Sequence, residues 1–236
     1  MSSKTRAVIF GIDDVLYDST YQTTNARLAA VRAMIEAGLP VDLETGYRTL
    51  EGIVKELGPD STRHFDKLME RLGLKWRPEV VAAGVVAYRE TNPIYLKPYP
   101  DTMPTILKLR DMGYKLGCAS GGRSVKQWQK LVSLGLHHCF HAVVISEDLG
   151  SETLKRAVIE EAVKRLGVES RETIFVGAHP RTEISVADEA GTVTVRLLKG
   201  ESKTEKAADT KPLLEINKLS ELFQLIEQPN TDQREA

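Results

Sequence analysis

The chain has 236 residues, 42% of them apolar, and its 32 basic and 33 acidic side chains leave a formal net charge of −1. That is enough apolar sequence for one large domain or a domain with an insert, and the interspersed charges give no electrostatic case for nucleic acid or an anionic membrane. No apolar run approaches the roughly 18 to 20 residues of a membrane span. Residues 1–6 are too short and polar for a signal peptide, so a cytoplasmic location is the default expectation. The cysteines, Cys118 and Cys139, do not make a disulfide framework.

The first element is a short strand, Ala7–Phe10, with the β-branched Val8 and Ile9 inside an apolar run. It ends in Gly11, Asp13 and Asp14, so a buried strand delivers a polar turn. Residues 19–92 then turn helical. The spacing predicts helices over 21–37, stopped at Gly38, Leu39 and Pro40, over 43–57, stopped at Gly58, and over 61–72, with Asp60 or Ser61 as N-cap and Gly73 as stop. A fourth helix, opened by Pro78, runs over 78–88. Four helices without a strand predict a helical bundle inserted over 19–96 as a separate small domain. The other domain is then discontinuous, 1–18 with 97–228, and 229–236 reads as a disordered tail.

After Pro93, Pro98 and Pro100, helix and strand alternate. Helices are expected over 102–112, 124–134, 152–166, 182–190 and 219–226, and strands over 114–119, 141–146, 173–176, 192–197 and 213–216. The polar segment 199–211 lacks periodicity and is expected to be a mobile loop. This order predicts an α/β fold, a Rossmann-like parallel sheet with helices on both faces. Ligands in such sheets bind beyond the carboxyl ends of the strands, here Gly11, Ser120, Ser146 and Gly177.

The run Gly11-Ile12-Asp13-Asp14-Val15-Leu16 resembles the first motif of the haloacid dehalogenase superfamily, in which one aspartate is the nucleophile and a second, two residues on, is the general acid and base. Asp13 matches the second; Gly11 stands at the nucleophile. The superfamily's second motif, an apolar strand ending in Ser or Thr and small residues, is matched by Leu116 to Gly121, so Ser120, Gly121 and Gly122 are the candidate phosphate cradle. The third motif's lysine is missing. Its expected place, near Glu152 or Thr153, carries none, and Lys155 lies at least half a helical turn on. The fourth motif's magnesium-binding acids fall on Ala178 and on Glu183, so one is lost and the other is a methylene longer.

Two other clusters carry possible chemistry. His137, His138, Cys139 and His141 are metal-ligating types, but they crowd into one loop without a second spaced pair, which favours a structural role. Arg123, His179 and Arg181 could line the strand-end pocket positively, but surface charges near helix starts are the favoured reading of them. What the resemblance implies is therefore a haloacid dehalogenase-like core with a helical cap and degenerate motifs. The expected function is binding, as a pseudoenzyme: Asp13 a vestigial acid, magnesium lost and no cofactor, and an unknown protein partner or weakly held anion as ligand, with homo-oligomerisation possible. Aspartate-based phosphatase activity is not expected. The alternative is an active hydrolase or phosphatase of a small phosphorylated metabolite, using Asp13, Asp14, His179 or Glu183 in a rebuilt site.

Overall fold

The computed structural model describes residues 5–205 and 211–227. The expected tail over 229–236 lies outside the described residues. The chain divides into two compact units, one running to Thr20 and resuming at Leu96, the other Tyr21–Tyr95.

The second unit is helical. Its helices are α1 (Ser19–Glu36), which begins in the preceding unit, α2 (Leu43–Leu57), α3 (His64–Arg71) and α4 (Pro78–Thr91). The Asp42 carboxylate accepts from Thr45 N at 2.9 Å and caps α2, while Gly58, at φ 77°, ends it. The apolar stripes meet in a core that includes Val31, Met34, Leu50, Ile53, Leu68 and Val80. Two starts differ from expectation: α1 begins at Ser19, two residues early, and Ser61 Oγ accepts from Arg63 N within a turn, so that α3 begins only at His64.

In the first unit, β1 (Ala7–Phe10), β2 (Lys115–Ser120), β3 (Ala142–Ile145), β4 (Thr173–Gly177), β5 (Val193–Leu197) and β6 (Leu214–Ile216) form one six-stranded sheet. Its order is β3-β2-β1-β4-β5-β6 and every pairing is parallel. The interleaved helices are α5 (Thr102–Asp111), α6 (Ser124–Ser133), α7 (Arg156–Leu166), α8 (Ser185–Glu189) and α9 (Leu222–Ile226). Both faces of β1 are buried: Val8 and Phe10 pack with Leu116, Leu131 and Val176, and Ala7 and Ile9 pack with Ala119, Ile159 and Phe175. That two-sided burial is why the strand reads as continuous rather than alternating apolar sequence. Phe10 pairs with Cys118 on one side and Val176 on the other. The ends of β1, β2 and β4 therefore open side by side at the middle of the sheet.

Three differences from the sequence reading bear on the site. The helix expected over 152–166 starts only at Arg156, because Lys155 is extended, at ψ 161°. The helix expected over 182–190 is preceded by a single π turn, Pro180–Ile184, in which Glu183 N and Ile184 N both donate to His179 O. The segment after β5 is also not loose. Buried Arg196 donates to Ser202 O at 2.7 Å and Glu205 O at 2.8 Å, and 201–204 coil into a 3-10 turn.

Candidate active site

Gly11 leaves the end of β1, its N–H donating to Val176 O at 2.9 Å. A Cβ placed on it would lie 2.7 Å from Glu183 Oε1 and 3.2 Å from Val15 Cγ2. The Glu183 carboxylate thus fills the space that a side chain at position 11 would enter. The π turn brings it there by inserting one residue between strand end and helix, which folds the side chain back over Gly177 and Gly11. Its Oε2 accepts from Ala178 N at 2.7 Å and His179 N at 2.9 Å. Burial pushes this carboxyl up to about 7; the two amide bonds lower it, and the charges of Asp13 and Asp14 raise it again.

Asp13, half-buried, accepts from Tyr17 Oη at 2.6 Å and from Lys130 Nζ at 2.8 Å on one oxygen and 2.7 Å on the other. Burial would raise its pKa, but the adjacent ammonium and these hydrogen bonds hold it below the ordinary carboxylate range. Sequence reasoning passed over Lys130. The pattern signals it only as one residue of a helix, three positions after the inward-facing Gln127. Asp14 has a shaping role: at φ 56° it turns the loop, and its oxygens accept from Thr20 N at 2.9 Å and Thr20 Oγ1 at 2.7 Å.

The structure places the remaining expected residues as follows. Ser120 is buried at the end of β2, its Oγ donating to Gly121 O at 3.2 Å. Gly121 lies against 153–154, since a Cβ on it would meet Leu154 N at 2.8 Å. The Gly122 N–H is already engaged by Ser146 Oγ and Glu152 O, both at 3.0 Å, so it is not an open donor of the expected cradle. Ala178 is buried, and its backbone serves Glu183 and Arg196. Lys155 is exposed. His179 Nδ1 caps its own turn by accepting from Arg181 N and Thr182 N, both at 3.3 Å. Arg181 is exposed, and Arg123 lies 3.9 Å from Glu147. His141 Nδ1 accepts from Leu116 N at 2.9 Å, which makes it structural.

The haloacid dehalogenase-like hydrolase model matches residues 5–191. This chain belongs to that family. Over 94% of its length it is 47% identical to a glyceraldehyde 3-phosphate phosphatase of Methanopyrus kandleri, 97% of which is covered. Over 96% of its length it is 35% identical to a protein of the same name from Methanocaldococcus jannaschii, covered over 99%. Among solved structures, a HAD phosphatase from Thermococcus onnurineus superposes with a TM-score of 0.66 at 24% identity, over 94% of this chain and 98% of that one. The putative HAD-hydrolase YfnB from Bacillus subtilis, bound to magnesium, gives 0.69 at 20%, over 96% and 100%. The two structures speak for the fold alone.

These relatives correct two expectations. A catalytically silent pseudoenzyme does not stand beside full-length relatives at 35% and 47% identity that are named phosphatases. The expectation of no cofactor falls with it, because hydrolases of this family whose relatives are named phosphatases imply magnesium dependence. The donors seen here do not by themselves make a site for that ion. Both oxygens of Asp13 and of Asp14 are engaged, one oxygen of Glu183 is held by two amides, and Gly11 and Ala178 offer no carboxylate. Among the described residues no group of three or more His, Cys, Asp or Glu could hold a metal. No step below is derived through the ion.

Proposed function

We propose that this chain is a phosphatase of a small phosphorylated metabolite whose reactive centre is rebuilt around Glu183, with glyceraldehyde 3-phosphate the first substrate to try. The observation that carries the reading is the position of Glu183 Oε1, 2.7 Å from where a side chain on Gly11 would begin. A carboxylate oxygen again stands at the end of β1, supplied from the far side of β4.

The chemistry cannot pass through an aspartyl phosphate at position 11, because glycine has no side chain to carry one. Glu183 instead acts on water. As water attacks phosphorus, Glu183 Oε1 takes its proton; the P–O bond to the alcohol breaks, and the proton passes to the departing alkoxide. Water is consumed, alcohol and phosphate are released, and Glu183 returns to its starting state. A carboxyl that titrates near neutrality suits both halves of that cycle. Asp13, kept ionised, is no proton donor and serves as a fixed negative charge. Ser120 and Gly121, at the end of the neighbouring strand β2, are the candidate groups for the phosphoryl oxygens. The relatives named glyceraldehyde 3-phosphate phosphatase support the substrate class.

The test is phosphate release from glyceraldehyde 3-phosphate and a panel of phosphorylated metabolites, with and without magnesium, by the wild type and by Glu183→Gln. Wild-type turnover that falls by about a hundredfold or more in Glu183→Gln is expected, the usual contribution of a general base. No turnover anywhere on the panel with magnesium present, or equal turnover by the variant, refutes the reading.

A further inference from the structure

Where the family's third motif supplies its lysine, this chain has Glu152 and Thr153, and the neighbouring Lys155 is exposed. A lysine nevertheless reaches the end of β1 from a different element. Lys130 projects from α6, the helix that follows β2, and its ammonium sits 2.8 and 2.7 Å from the two oxygens of Asp13. The Lys130 side chain is 26% exposed and that of Asp13 40%, so the pair is partly withdrawn from water. Contact with both oxygens fixes the carboxylate plane more tightly than a single bond would.

We propose that Lys130 is a positioning residue: it replaces the lysine missing from the third motif as the cation that keeps Asp13 ionised and aimed at the strand end. The inference rests on the phosphatase reading for its catalytic meaning, while the coupling between the two side chains stands apart from it. A second donor favours the same ionised form. Tyr17 Oη donates to it from the loop after β1 at 2.6 Å, while Gln127, on the same face of α6 as Lys130, gives its amide to Gly121 O at 2.8 Å. Burial raises the Cys118 thiol on β2 and the Glu183 carboxyl from the π turn, and the charge of Asp13 raises both further. Asp14, next in the chain, turns its oxygens away to Thr20. Lys130 is thus the cation that these contacts give to a cluster of three carboxylates. Without it, burial would drive Asp13 towards its neutral form.

The experiment follows the Asp13 side-chain carboxyl by carbon NMR as pH is varied, in the full chain as wild type, Lys130→Met and Lys130→Arg. The same three proteins are assayed for turnover of glyceraldehyde 3-phosphate. The Asp13 midpoint should rise by about one to three pH units in Lys130→Met and return most of the way in Lys130→Arg. Turnover should fall by about tenfold to a hundredfold and recover with the arginine, as expected when a charged group loses its placement. Lys130→Gln serves as a second neutral variant if the methionine protein does not fold. An unchanged midpoint in a folded neutral variant overturns the inference, whatever the turnover. A shifted midpoint with no turnover in any of the proteins supports the Lys130–Asp13 coupling and removes the phosphatase reading instead.

Discussion

Glu183→Gln has a consequence for stability that does not depend on any substrate. The glutamine has the same shape, and its amide oxygen can still accept from Ala178 N and His179 N, so packing is preserved while the titration is removed. In the folded wild type the carboxyl is raised from its ordinary 4.5 to about 7. A raised folded pKa means that the folded chain binds this proton more tightly than the unfolded chain. The stabilisation is complete below about pH 4.5 and is lost as pH rises through about 7. A shift of that size at about 1.4 kcal/mol per pH unit sets an upper bound of about 3 kcal/mol. Partial solvent access reduces this to about 1 to 2 kcal/mol. Thermal melts of both proteins at pH 5 and pH 8 should show the Gln variant gaining on the wild type by about 3 to 6 °C between the two conditions. A difference in melting temperature that stays constant with pH would show that Glu183 is not held in the neutral-leaning environment its position implies.

Two further substitutions probe the same region. Gly11→Ala places a methyl 2.7 Å from Glu183 Oε1 and 3.2 Å from Val15 Cγ2, so the carboxylate must swing off its two amides. We expect a loss of about 1 to 2 kcal/mol in denaturant unfolding and of most phosphate release, and an alanine protein as stable and active as wild type would contradict the close approach. Arg196→Met removes a buried guanidinium that holds the carbonyls of Ser202 and Glu205 and pairs with Glu215 at 3.1 Å. It should cost about 2 to 3 kcal/mol and open 200–205 to limited proteolysis, which gel analysis of timed digests would register.

The sheet was legible because its strands are short apolar runs rich in Val and Ile, each bounded by Gly, Ser or Asp, and because a strand buried on both faces carries that signal without needing its neighbours. The site was legible as far as strand ends reach. Ser120 ends β2, and Gly11, Ala178 and Glu183 follow the ends of β1 and β4, the carboxyl edge where a parallel sheet gathers such groups. Lys130 was not legible. Its contact with Asp13 spans 117 positions, and which way a helix turns on the sheet depends on packing that no local pattern records. The mobile loop expected over 199–211, of which 206–210 lie outside the described residues, fails over 201–205 for a related reason: the residue that anchors this part is Arg196, whose charge reads as exposed until the carbonyls around it are seen.

The functional misreading has the same physical root. Checking each motif for its own residue treats Gly11 and Glu183 as two independent departures, one a loss and the other a lengthened ligand. In the structure they are one arrangement. Glu183 Oε1 can lie over the end of β1 only because position 11 has no Cβ, and the additional methylene together with the π turn supplies the reach that an ordinary helix start would not. An aspartate at position 11 and the present Glu183 would compete for one volume, with two carboxylates facing each other without a cation between them. The glycine is therefore the condition for the glutamate's placement, and a substitution at either position has to be judged with the other in view.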